Sequence, residues 1–232
     1  ARLGHAERRD DDEEGDTEGI AYAGGDVAPN REEGEFAVLA AAAEGGGAAA
    51  EDEDEADEEQ DDTALEVKLA DVVGVDGFEE LAEFSILDLQ GEGLRALPQT
   101  FGLLEDLQGV NLKGNRLSSL PESFANLTLL QEIDLAENDL RTLPAELFCQ
   151  LSALRTLSLA RNRLLELADS LGQLTSLEAL DASGNELTAL PDSIMELQAL
   201  SMLLIASNRI AALPDAFSQL TCLRTLDVSE NR

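Results

Sequence analysis

From Phe84 onward, apolar and polar residues follow one pattern that returns every 23 or 24 residues. Its successive copies begin at Phe84, Leu107, Leu130, Leu154, Leu177, Leu200 and Leu223. Counting from those residues, positions 1, 4, 6 and 11 are apolar, 9 is Asn, 14 and 15 are mostly Leu-Pro, and 18 and 21 are apolar. Apolar residues at 4 and 6 between polar neighbours have the period of a strand with one buried face. Pro at 15 cannot continue a strand ladder, so it opens the return segment. The spacing from 18 to 21 and on to the next position 1 predicts a short helical turn on the outer side. Five of the six prolines mark this place: Pro98, Pro121, Pro144, Pro191 and Pro214.

The asparagines keep the same register at Asn115, Asn138, Asn162, Asn185, Asn208 and Asn231, with Glu92 one step earlier. Where the chain turns off a strand, buried backbone groups need partners. A carboxamide both donates and accepts, so it can serve its own turn and bridge to the neighbouring copy. Groups left unpaired there cost about 1–3 kcal/mol each. Three departures stand out. The third copy holds one extra residue around Leu147, Phe148 and Cys149, expected in the outer segment. The fourth has Ala168 where Pro is the rule, and the fifth has Ala182 at an interior position, where local repacking and a bend are expected.

A period of this length sustained over seven copies is the signature of a solenoid. The run LPxxFxxLxxLxxLxLxxNxL resembles the 23-residue, Ras-group class of intracellular leucine-rich-repeat proteins, which has plant and algal members. The expected fold is therefore an α/β leucine-rich-repeat solenoid, with a curved parallel sheet on the concave side and short helical or 3-10 segments outside. It would occupy residues 84–232, as about six full repeats and a truncated seventh. Residues 63–83 regain apolar side chains out of register and read as an N-terminal cap, with a short helix ending near Gly74 or Gly77.

Residues 1–62 are low-complexity. Acid runs at Asp10 to Glu14 and Glu51 to Asp62 flank a Gly/Ala-rich piece, so few large apolar groups are present to offset the entropy of ordering. They read as a disordered acidic tail, with a transient helix over Phe36 to Glu44. Of the chain's net charge of -34, about two-thirds falls in the first 80 residues. A chain this negative repels phosphate backbones and anionic lipid, which argues against nucleic acid or membrane as partner. No apolar run approaches the ~20 residues that span a bilayer. Cys149 and Cys222 fall in different repeats with no metal-ligand spacing and no terminal disulfide cluster, which points to a reducing, cytoplasmic or nuclear setting.

Chemistry by catalysis has little to work with. The single histidine, His5, lies in the tail, and no phosphate-binding glycine loop occurs. No cofactor or metal is expected. Binding has more. On stacked strands the side chains at positions 3, 5, 7 and 8 face the concave side. Position 5 reads Asp88, Asn111, Asp134, Ser158, Asp181, Leu204 and Asp227, so acids occupy every second rung, about 10 Å apart. Glu132, Glu137 and Glu178 add to them, while Lys113, Arg155 and Arg161 interrupt near the middle. Met202 and Leu204 form the apolar spot and the candidate anchor, with no aromatic residue nearby.

These residues suit a protein partner with a basic or mixed-charge surface. The resemblance implies a monomeric interaction scaffold in small-GTPase, kinase or phosphatase signalling. The rival reading is the recognition domain of a larger enzyme (a kinase, cyclase or ubiquitin ligase), since the seventh repeat stops at Arg232 without a closing cap. A third makes the acidic tail the binding element.

Overall fold

The computed structural model describes residues 62–214 and 217–232. The segment read as an acidic tail, including Phe36 to Glu44, therefore lies outside the described residues, except that Asp62 opens the first helix. Helix α1 runs Asp62–Val73 and a 3-10 turn covers Phe78–Glu83. Seven three-residue strands follow: β1 Ile86–Asp88, β2 Gly109–Asn111, β3 Glu132–Asp134, β4 Thr156–Ser158, β5 Ala179–Asp181, β6 Met202–Leu204 and β7 Thr225–Asp227. They form one parallel sheet in sequence order, each strand beside the next.

The pairing keeps position 3 opposite 3, 4 opposite 4 and 5 opposite 5 through all six interfaces. Each return segment carries a short 3-10 turn: Gln99–Leu103, Glu122–Asn126, Leu147–Cys149, Asp169–Gln173, Asp192–Glu196 and Phe217–Gln219. The extra residue of the third repeat is absorbed there. Glu132 still pairs with Thr156, while Leu147 and Phe148 are both buried in the outer turn.

Positions 1, 4, 6, 11, 18 and 21 meet in one continuous core from Leu69 to Leu220. Burying each such leucine is worth roughly 1.5–3 kcal/mol against leaving it in water. At position 18 the Phe101 and Phe124 rings stack with centroids 5.7 Å apart. Ala182 is fully buried, and the ladder passes through it unbroken, its N–H donating to the Leu204 carbonyl at 2.8 Å. The pairing registers on both sides of it are regular.

The asparagines bind repeat to repeat. Asn138 donates to the Leu112 carbonyl of the preceding repeat at 2.9 Å and to its own Leu135 carbonyl at 3.1 Å, while its Oδ1 accepts from the Leu117 N–H at 3.0 Å. Asn115, Asn162, Asn185, Asn208 and Asn231 repeat this set. Each therefore serves the repeat before it. Glu92 has no preceding strand to serve and stays exposed, which explains why its position tolerates the change.

At position 15, Pro98, Pro121 and Pro191 share φ near -66° and an extended ψ, and Ala168 adopts the same shape at φ -65°, ψ 144°. Position 19 sets the spacing of the outer turns. A Cβ built on Gly172 would lie 2.6 Å from the Ser193 carbonyl oxygen, and one on Gly102 would overlap that of Ser123. At the first end of the sheet, α1 buries Leu69, Ala70 and Val73, and Leu81 closes beneath it. The helix stops where Gly74 turns to φ +80°. Lys68 donates to the Gly93 carbonyl at 3.5 Å and the Gln99 N–H to Asp62 Oδ2 at 3.2 Å, which ties the helix to the first repeat.

Candidate functional site

Since positions 4 and 6 point into the core, positions 3 and 5 of each strand stand on the opposite face. The in-register pairing places Asp88, Asn111, Asp134, Ser158, Asp181, Leu204 and Asp227 on one line across the sheet. Asp88 is exposed and the other six are half-buried. Glu132 and Met202 stand in the neighbouring column at position 3. Met202 and Leu204 share β6, so the apolar spot lies between Asp181 and Asp227 in the line.

The acids of this line have a second duty that their spacing alone did not suggest. Asp134 Oδ1 accepts from the Ala136 N–H at 2.9 Å, and Asp181 Oδ1 from the Ser183 N–H at 2.9 Å. Asp88 does the same with Gln90 at 3.2 Å and Asn111 with Lys113 at 3.1 Å. Asp227 Oδ1 accepts both the Ser229 N–H at 2.9 Å and the Ser229 hydroxyl at 2.6 Å. These are Asx turns, in which a short polar side chain closes the bend two residues on. Aspartate or asparagine two residues before the bend was the available signal. The Ser229 hydroxyl first, and its N–H second, hold the Asp227 carboxyl below its ordinary range, against partial burial acting the other way. Each turn fixes one carboxylate oxygen and so fixes the side chain's direction.

Position 8 is left-handed along the whole array. Gly91, Gly114 and Gly184 take it at φ +75°, +70° and +68°, and Glu137, Arg161, Ser207 and Glu230 at φ between 54° and 58°. The four non-glycine residues fall in adjacent pairs that touch across repeats. Arg161 Nη1 lies 3.1 Å from Glu137 Oε1, and the Ser207 hydroxyl donates to Glu230 Oε2 at 2.6 Å. Arg155 likewise pairs with Glu178 at 2.8 Å. On the edge beyond the strands, Arg163–Asp139 and Arg209–Glu186 each close at 2.8 Å. Exposed pairs of this kind add only ~0–1 kcal/mol each.

That pairing changes the charge of the face. Arg155 and Arg161, which interrupt the acids in the sequence, are each matched by a glutamate. Among the described residues Lys113 is the one cation of positions 3, 5, 7 and 8 without an ion pair, while Asp88, Glu132, Asp134, Asp181 and Asp227 have none. Of the ten sequence-derived candidates, nine share the columns at 3 and 5, and Arg161 sits at the rim, tied to Glu137. From the third repeat on, position 7 carries small side chains (Ala136, Ala160, Ser183, Ala206 and Ser229), whereas the first two repeats have Gln90 and Lys113 there.

Profiles for two leucine-rich-repeat families match the sequence, one described as leucine rich repeat over residues 80–140 and one as leucine-rich repeat region over residues 138–231. The chain is a leucine-rich-repeat protein. No curated protein matches the sequence of this leucine-rich-repeat protein. A Leptospira interrogans leucine-rich-repeat protein is similar in structure, with TM-score 0.53, 29% identity, 67% of this chain covered and 51% of that one. The Arabidopsis receptor kinase HAESA, in complex with the peptide hormone IDA and the co-receptor SERK1, gives TM-score 0.58 at 26% identity over 63% of this chain and 26% of its own. The plant peptide hormone receptor RGFR1, in complex with RGF2, gives TM-score 0.52 at 28% identity over 59% and 26%. This leucine-rich-repeat protein thus spans about half of the bacterial protein and about a quarter of the receptor chains.

Away from the sheet, the third and fourth outer turns leave a cavity of about 440 Å³ where the extra residue and Ala168 fall. Glu146, Glu166, Asp169 and Cys149 are among the residues that line it. The Cys149 thiol donates to Glu146 Oε2 at 2.9 Å, and that bond, with burial and the glutamate's charge, raises its pKa above the ordinary thiol range. Among the described residues no group of three or more His, Cys, Asp or Glu could hold a metal ion, and no helix is long and apolar enough to cross a membrane.

Proposed function

We propose that this leucine-rich-repeat protein is an interaction scaffold of the intracellular 23-residue class, holding a protein partner on its sheet face. The partner presents a basic or mixed-charge surface, of the kind a small GTPase or signalling enzyme offers. The observation that carries this is the line of carboxylates at position 5, free of ion pairs, while the arginines of the same face are matched by glutamates. Met202 and Leu204 supply an apolar anchor. The peptide-bound plant receptors are consistent with a face built to hold another chain.

Affinity capture from a lysate at low and high salt tests the reading, with the wild type beside Asp134→Asn, Asp181→Asn and Met202→Ser. Charge-steered contacts weaken with ionic strength, so recovery of the partner falls with salt and falls again in each variant. Capture indifferent to all three substitutions removes the sheet face from the account. A second reading, that the array is the recognition part of a larger enzyme, is favoured by the receptor-kinase neighbours, of which it spans only a fraction. Sequencing the full transcript for an adjoining catalytic domain decides between them.

A further inference from the structure

The face has a period, and a period selects a ligand geometry. The geometry points to a specific occupant, an extended basic peptide in the polyproline II form with Lys or Arg at every third residue, lying across the strands. This rests on the proposed binding role of the sheet face and adds to it the shape and spacing of the bound segment.

Adjacent parallel strands lie about 4.8 Å apart, so acids on alternate strands repeat about every 9.6 Å. A polyproline II helix rises about 3.1 Å per residue with three residues per turn. Every third side chain therefore points the same way and recurs about every 9.3 Å. From Asp88 to Asp227 the two repeats drift apart by only about 1 Å, less than the swing of one lysine side chain. A flat strand fails this test, because its third residue faces the other way and its second recurs at about 6.6 Å. An α-helix comes back to the same face after seven residues, about 10.5 Å, and falls out of step by nearly 3 Å over the same stretch.

The charges agree with that occupant. Asp88, Asp134, Asp181 and Asp227 are aimed by their Asx turns and have no cation within ion-pair distance, and Glu132 adds a fifth carboxylate beside the line. The face is a sheet surface with no covering element among the described residues, since the outer turns and α1 pack on the other side and at the first end of the sheet. The residues between the acids are graded. Asn111 and Ser158 fill the first two gaps, and Leu204, beside Met202, fills the third. The intervening residues of the peptide are therefore polar or small along most of its length and apolar between the last two cations. Lys113 opposes binding at the second rung.

The structure also supplies a clean probe. Asn111 makes the same turn bond as the aspartates, so Asp→Asn removes the charge and keeps the fold. Fluorescence anisotropy on the full chain compares three labelled ten-residue peptides of identical composition: four arginines in a Pro/Ala background with one leucine, the arginines placed every third residue, every second residue, or in one block. The every-third isomer, with its leucine in the last gap, binds about tenfold more tightly than the block isomer. That advantage disappears in Asp134→Asn/Asp181→Asn and grows in Lys113→Gln. Three isomers of equal affinity, or an advantage unmoved by the Asn variants, overturns the periodic match. If no peptide binds while partner capture still depends on Asp134 and Asp181, the periodic match falls and the sheet-face reading survives. If capture ignores those residues as well, both fall.

Discussion

Replacing Asn138 by alanine probes the device that joins one repeat to the next. The carboxamide serves four backbone groups with different alternatives, of which the Ala136 carbonyl, at 3.2 Å, also accepts from the Gly114 N–H at 2.9 Å. The Leu117 N–H has Asn138 Oδ1 as its partner at 3.0 Å, in a residue that is fully buried, so the substitution strands it away from water. A buried donor left unpaired costs about 1–3 kcal/mol. The Leu112 carbonyl keeps Asn115 Nδ2 at 2.8 Å, and the Leu135 carbonyl keeps Asn162 Nδ2 at 2.9 Å, so each loses one bond of two. Together the change costs about 3 kcal/mol, which lowers the melting temperature by roughly 6–12 °C for an array of this size. Asn231→Ala is the internal control. Asn231 makes the equivalent bonds at a partly exposed place, where water replaces them at a cost below about 1 kcal/mol. Urea denaturation followed by circular dichroism gives both values. The double variant Asn138→Ala/Asn162→Ala removes both partners of the Leu135 carbonyl and loses more than the sum of the single changes. If Asn138→Ala costs no more than Asn231→Ala, the repeat-to-repeat bridge is not what holds the array together.

Three further outcomes follow from other parts of the molecule. Gly172→Ala forces a methyl against the Ser193 carbonyl and costs about 1–3 kcal/mol in the same denaturation assay, whereas the open Gly77 accepts alanine without a clash. Ala168→Pro, at a backbone already in the proline shape, raises stability by about 0.4–1 kcal/mol by restricting the unfolded chain, read as a higher denaturation midpoint at unchanged slope. Ser229→Ala releases Asp227 toward the ordinary carboxylate range, seen as a higher titration midpoint by NMR. Because that carboxyl is held low in the folded state, its contribution to stability is present above the ordinary carboxylate range and is lost as pH falls through the lowered value.

The ladder was legible because its causes are local and repeat. Leu at 4 and 6, Asn at 9 and Pro at 15 each state a requirement of one turn, and seven copies make the register unmistakable. The extra residue near Phe148 could be placed in the outer turn for the same reason, since the strands on either side kept their pattern. What escaped the sequence depends on neighbours a full repeat away. The left-handed backbone at position 8 is announced by Gly91, Gly114 and Gly184 but concealed by Glu137, Arg161, Ser207 and Glu230. Arg155 and Arg161 look like interruptions until their glutamate partners on the next and the preceding repeat are seen. Gly102 and Gly172 look incidental until the carbonyls facing them are known. Asp134 and Asp181 read as binding groups alone, though an aspartate two residues before the bend is itself a turn former.

Carboxylate footprinting of the full chain with and without its captured partner tests the central claim most directly. Carbodiimide coupling to glycine ethyl ester labels exposed acids, and mass spectrometry reads each one. The sheet-face account predicts that Asp88, Glu132, Asp134 and Asp181 are protected in the complex while Glu122, Asp169 and Asp192 on the outer turns label as before. Protection of the outer acids with the sheet line fully labelled would contradict it.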